Sequence, residues 1–269
     1  MTFRPHQDAN AIVRVSFVCE FAQPLGEEGL RAFVNAHEQF RNDFPRIGTA
    51  QGINIQIRSG GEPVPVPGLA VVFYQEFNRD GQLNRSLQAQ QQSIIFAHSR
   101  YTSWSEICPQ ARQTIETALT IVPNVQLQSF GLEYVDRFTS SDSYSQGDIH
   151  ALFRRGTHYL VPKVFDVRGV WHSHHGSLEE GIDQPHPHSK NDNINIDLIR
   201  DQTPEGKLAI NMVLRHRRIL AQPVLASAAM SHFDYFMDEM HNANVVVMRD
   251  LLTKEALRAI NLKTADANN

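Results

Sequence analysis

The stretch Leu208–Arg218, LAINMVLRHRR, alternates: Leu208, Ile210, Met212 and Leu214 fall on one face, Ala209, Asn211, Val213 and Arg215 on the other. Side chains of a β-strand point to opposite faces with period 2, so this reads as a half-buried strand. The basic run Arg215–Arg218 is expected to close it as a solvated end. Two upstream segments carry the same rhythm. Ile194, Ile196 and Leu198 alternate with Asn193, Asn195 and Asp197, and Phe165, Val167 and Trp171 alternate with Asp166, Arg168 and His172. DQTPEG, between the last two strands, is a hairpin-like turn. The pattern predicts a three-stranded antiparallel meander with one apolar face.

A cover for that face follows directly. Met230, Phe233, Phe236, Met237, Met240, Val247, Met248 and Leu251 recur at helical spacing. One core is expected from Phe165, Val167, Trp171, Ile194, Ile196, Ile210 and Met212 against Phe233, Phe236, Met237 and Met240. Thr253 reads as the cap of a short last helix.

The first half has a related plan. Val13, Val15, Phe17, Cys19 and Phe21 make one apolar strand face, and Leu30, Phe33, Val34, His37 and Phe40 make a helical stripe. Ile53, Ile55 and Ile57 predict a second strand, GGEPVPVPG an extended turn, LAVVFYQEF a third strand, and Gln82–Ala97 a fourth. Ile107, Ala111, Ile115 and Leu119 predict a helix. Ser103 and Glu106 could form a capping box, but Pro109 places the regular start near Ile107. VQLQSFGLEYVDRF is a fifth strand, and the polar Thr139–Gly147 span a linker. The expected class is α+β, with antiparallel sheets in two strand meanders and helices packed on one face. Residues 1–140 form an N-terminal half and residues 147–269 a C-terminal meander with its long helix.

Composition narrows the function. The chain has 269 residues, 41% apolar and 20% charged, an ordinary globular mix. Its net charge of −4 disfavours nucleic acid as the main partner, although Arg154–Arg155 and Arg215–Arg218 offer local positive charge. Cys19 and Cys108 lie on apolar stripes and read as buried thiols. With no signal-peptide pattern and no long apolar run, a cytoplasmic location is expected, with no membrane contact. The P-loop, the dinucleotide glycine pattern, His-Glu-x-x-His and the G-x-S-x-G elbow are all missing.

Two constellations remain. In WHSHHGSLEEGIDQPHPH, His172 and His174 share a strand face and could both ligate one ion, with Asp197 or Asp166 as a third ligand and His186 or His188 folding back. That arrangement would suit zinc and a metal-dependent hydrolase or nuclease. The alternative is a polar strand end and a solvated loop with no cofactor, because the Pro185–Pro187 segment works against convergence of the ligands. On VQLQSFGLEYVDRF, Glu133 and Arg137 share one face and Asp136 lies on the other. Charges within a sheet need partners, so these three are expected in ion pairs or an interface.

NAIVRVSFVCEF, RYTSWSEI, FGLEYVDRF and MSHFDYFMDEMHNANVVVMRDLLTKEAL, in that order, resemble the sporadically distributed family of uncharacterised bacterial proteins of about this length. The resemblance spans Asn10 to Leu257 and is best at Tyr101, Trp104 and Tyr134–Arg137. It assigns no catalytic residue. A patchy distribution implies an accessory role in a defence or mobile-element system, beside protein partners. The expected function is a non-catalytic binding or scaffold protein that forms a homo-oligomer. A chaperone-like module with an apolar groove is a further alternative.

Overall fold

The structure, a computed structural model, describes residues 3–7, 9–56, 64–140, 149–167, 169–182, 186–200 and 206–262. The first elements are β1 (Phe3–Pro5), β2 (Ile12–Phe21), α1 (Gly26–Asn35), β3 (Arg46–Gln56), β4 (Val64–Phe77), β5 (Leu83–Gln90), β6 (Ser93–His98), α2 (Trp104–Leu119) and β7 (Gln126–Ser140). They are followed by α3 (Ile149–Leu152), β8 (Trp171–Ile182), β9 (His188–Arg200), β10 (Leu208–Leu225), α4 (Ala226–Ala229), α5 (Phe233–Leu251) and α6 (Lys254–Ala259). The fold is α+β with antiparallel sheet, as the alternation predicts. Residues 201–205 of the hairpin-like DQTPEG turn, most of the Thr139–Gly147 linker and Ile57 lie outside the described residues.

The chain folds as two compact units that interleave in sequence. One comprises residues 16–130 and 220–234, the other residues 1–15, 131–219 and 235–269. Strands β2, β7 and β10 and helix α5 contribute residues to both.

In the unit of residues 16–130 and 220–234, strands run in the order β3-β4-β5-β6-β2. The second, third and fourth strands expected from the sequence are therefore four, β3 to β6. What reads as one strand over Gln82–Ala97 is the hairpin β5–β6, paired through Ala89↔Ile94. The run is polar because it contains the turn. Part of the proline-rich segment is likewise strand: Val64–Gly68 pairs with β3. Pro65 and Pro67 stand two apart, so the positions lacking N–H address one edge, and β5 joins β4 only from Val71 onward. Helix α2 starts at Trp104, three residues before the expected Ile107, and holds Pro109 inside it. The carbonyl that Pro109 cannot engage belongs to exposed Ser105. No capping box forms: Ser103 makes no side-chain cap bond, and its hydroxyl instead lies 3.2 Å from that of Ser105. Phe17 anchors the interior, with ring centres 5.6 Å from Trp104, 6.2 Å from Phe96 and 6.5 Å from Phe233. Cys19 and Cys108 are both buried.

In the other unit the order is β7-β10-β9-β8, with β1 antiparallel to β7. Ile194, Ile196, Leu198, Ile210, Met212 and Leu214 form the sheet side of one core. The helix side comes from Val247, Met248 and Leu251, further along α5 than the Phe233–Met240 stripe expected there. Those earlier residues are buried as well, but Phe233 belongs to the first unit. Phe165 and Trp171 pack against this core, yet Phe165 ends a 3-10 turn (Pro162–Phe165) and is not in the strand. The strand begins at Trp171 and runs on through the histidines. Thr253 caps α6 as expected, accepting from the Ala256 amide.

Candidate functional site

Strand β8 is the terminal strand of its sheet. Its pairing with β9 runs without interruption from Trp171↔Leu198 to Glu179↔Lys190, then shifts before Ile182↔His188, where Gly181 takes φ 71°. The segment expected as a strand end and solvated loop is therefore strand through Ile182, regular as far as Glu179. Half-buried Trp171 holds it down against Phe153 at 6.5 Å. On the opposite face His172 and His174 are exposed, their ring centres 5.5 Å apart. The register sets Asp197 directly across from His172 and Asn195 across from His174. Among the described residues, none of the His172, His174 and Asp197 side chains takes part in a hydrogen bond or ion pair. As their side chains stand, no three His, Cys, Asp or Glu groups among the described residues are gathered for a metal ion.

The other candidate ligands go elsewhere. Asp166 follows the 3-10 turn, outside the strand. His186 lies edge-on to Tyr235 at 5.1 Å, and His188, buried, lies edge-on to Phe236 at 5.2 Å. Neither joins the exposed pair, and His188 is not a loop residue but the first residue of β9.

A charged cluster lies on the inner face of the same unit, with His188, His216 and Arg218 buried and Lys190, Asp192 and Glu239 half-buried. Continuing the alternation Leu208, Ile210, Met212, Leu214 by two steps gives His216 and Arg218. Stepping back from Ile194 along β9 gives Asp192, Lys190 and His188. The inner sheet face thus passes from apolar to charged, and Glu239 of α5 meets the charged part. Arg218, 1% exposed, donates from Nη1 to Asp192 at 2.8 Å and from Nε to Glu239 at 3.2 Å. Lys190 Nζ reaches Glu239 at 2.7 Å, and His216 Nδ1 lies 3.1 Å from Asp192. Burial alone would raise the Asp192 carboxyl, but the bonds and charges of His216 and Arg218 outweigh it and hold the carboxyl below its ordinary range. The Arg215–Arg218 run is therefore not a solvated end. It sits inside β10, with Arg215 outward and His216 and Arg218 inward. His216 Nε2 is enclosed and has no hydrogen-bond partner among the described residues, so it is not presented to a substrate as a general base would be. Two cations facing two carboxylates under a helix make a structural clamp.

Strand β7 splits its charges by face as the sequence indicates. Glu133 is held by Arg14 at 2.7 Å and by Arg215 Nε at 2.5 Å, so its partners come from β2 and β10 and not from Arg137. The Arg137 backbone N–H bonds the carbonyl of Ala11 at 2.8 Å. Asp136 is buried, its Oδ2 has no hydrogen-bond partner among the described residues, and burial pushes its carboxyl from 3.8 up to about 7. Beside it on the chain, Tyr134 contacts His241 of α5, whose imidazole burial pushes down to about 4.

In the unit of residues 16–130 and 220–234, a depression of about 370 Å³ is lined by Leu119, Pro123, Ala226 and Met230 among others. Glu116 is the one ionisable side chain among its lining residues. Among the described residues no helix is long and apolar enough to cross a membrane. No protein-family model matches the chain, and no curated protein and no solved structure matches it either.

Proposed function

We propose that the chain is a non-catalytic binding protein that associates through the open edge of β8, first of all with a second copy of itself. The observation that carries this reading is the edge itself. From Trp171 to Leu178 the strand is regular and largely exposed, and it contains no proline, lysine or arginine. Natural edges are commonly blunted by such residues, by bulges or by charge. Here the register shift, Gly181 and the two glutamates are all confined to the far end, after Leu178. Leu178 is 56% exposed and Val170, just before the strand, 57%. An edge of this kind can pair with a like strand about a two-fold axis, which satisfies its outward amides and carbonyls.

The resemblance to the sporadically distributed bacterial family supports placing that association in an accessory or scaffold role, in the cytoplasm of a bacterium and within a defence or mobile-element system. Size-exclusion chromatography with light scattering over a wide concentration range tests the core of the proposal. A dimer or larger assembly that Leu178→Lys converts to monomer, with an unchanged melting temperature, is the expected result. Monomer at every concentration, or assembly indifferent to Leu178→Lys, overturns it.

A further inference from the structure

We infer that His172, His174 and Asp197 form a surface site for one divalent cation of the zinc type. The inference uses the same strand as the proposed association but does not depend on pairing, since all three residues belong to one copy.

Three observations converge. First, the spacing of the rings suits a shared ion. A zinc–imidazole bond is about 2.0–2.1 Å and the ring centre lies roughly 1.1 Å beyond the nitrogen, so two imidazoles at a tetrahedral angle have centres about 5 Å apart. The observed separation is 5.5 Å. Second, the register supplies a carboxylate. Directly opposed residues in an antiparallel pair have Cβ atoms about 4.5–5.5 Å apart. Asp197 stands in that relation to His172, within reach of an ion held by the two rings after rotation about its own side-chain torsions. Third, nothing competes for these groups. None of the three side chains is engaged in a hydrogen bond or ion pair among the described residues, so binding breaks no polar side-chain contact. The Pro185–Pro187 segment, the obstacle to convergence when His186 or His188 is required, contributes no ligand here.

Imidazole nitrogen with one carboxylate oxygen is a donor set that zinc accepts and that magnesium or calcium does not favour. Three ligands from one strand pair leave a fourth position to water or to an incoming group, and they leave the site open on the surface. Because the residues are exposed and outside the core, occupancy is not needed for folding.

The test is isothermal titration of zinc sulfate into the full chain, freed of metal by chelator and of any affinity tag by cleavage. One equivalent is expected to bind. Affinity should fall at least about tenfold in each of His172→Ala and His174→Ala, a loss of about 1.4 kcal/mol or more, and measurably in Asp197→Asn. Melting temperatures of the metal-free variants should match the parent, so weaker binding cannot be ascribed to unfolding. Unchanged affinity in His172→Ala/His174→Ala means an adventitious ion only, spread over the other histidines, and overturns the inference, as does the absence of binding. Unchanged affinity in Asp197→Asn alone overturns the three-residue site. A monomeric protein that nevertheless binds zinc at this pair refutes the proposed association and leaves the metal site standing.

Discussion

The Tyr134 hydroxyl and His241 Nδ1 lie 2.8 Å apart, on β7 and α5 of one unit. Burial holds the imidazole neutral, so this is a bond between two uncharged groups. Asp136, two residues further on the same strand face, is buried, and one of its oxygens has no hydrogen-bond partner among the described residues. The two titrating groups oppose each other. Asp136 ionises at about 7 in the folded chain and near 3.8 when unfolded, so between those values the folded state holds the extra proton and stability falls as pH rises. His241 protonates at about 4 when folded and near 6.5 when unfolded, so over that window stability rises with pH. Their contributions cancel between about pH 4 and 6.5. Relative to the parent, Asp136→Asn should gain stability with rising pH across this window, and His241→Gln should lose it, each by up to about 1.4 kcal/mol per pH unit. Urea melts at stepped pH check this. Parallel curves for all three proteins would refute it.

The alternation that places Leu208–Leu214 in a strand also holds the key to the buried clamp. Read two steps further it reaches His216 and Arg218. A solvated basic end is the natural reading because a buried arginine is stable only with partners, and those partners, Asp192 and Glu239, lie 26 and 21 residues away in sequence. Local pattern carries no information on such a pairing. The same limit hides the register that sets Asp197 opposite His172. Conversely, the α+β class, the helical stripe of α5 and the Thr253 cap were legible, because each rests on short-range periodicity or a local bond. The hairpin β5–β6 was missed because its turn, Gln91–Gln92, lacks the glycine or asparagine that marks most tight turns.

Arg218 is the centre of the clamp, and its loss leaves Asp192 and Glu239 short of a shared cation in a poorly solvated place. Removing one partner from a buried ion pair costs about 3–5 kcal/mol. Arg218→Met should approach that range in urea denaturation, well beyond the effect of Arg217→Met on the neighbouring outward position. A double-mutant cycle with Glu239→Gln should return a coupling of about 1 kcal/mol or more. Additive losses would show that the two residues stabilise the fold independently.

Cys19 is enclosed in a strand face, and burial together with the neighbouring Glu20 charge pushes its thiol far above the ordinary range. Cys108 is buried on α2. The thiolate is the reactive form, so neither should react with Ellman's reagent in the folded protein. Two equivalents should appear together on unfolding. Fast labelling of either thiol under native conditions would contradict the enclosed placement.

Thr253 does two things at once. Its hydroxyl accepts from the Ala256 amide at 3.2 Å, capping α6, and donates to the Ala151 carbonyl of α3 at 2.8 Å. Its own backbone amide bonds the Leu152 carbonyl at 2.9 Å, so the start of α6 is tied to α3 by backbone as well as side chain. Loss of a threonine cap costs about 0.5–2 kcal/mol, and the second bond places Thr253→Ala toward the upper end of that range. Thr253→Ser keeps the hydroxyl and should recover most of the loss. Hydrogen exchange separates the two roles: Thr253→Ala should speed exchange at the Ala256 amide, while the Thr253 amide keeps its protection through Leu152. Equal destabilisation by alanine and serine would mean that the methyl group, and not the hydroxyl, holds this corner.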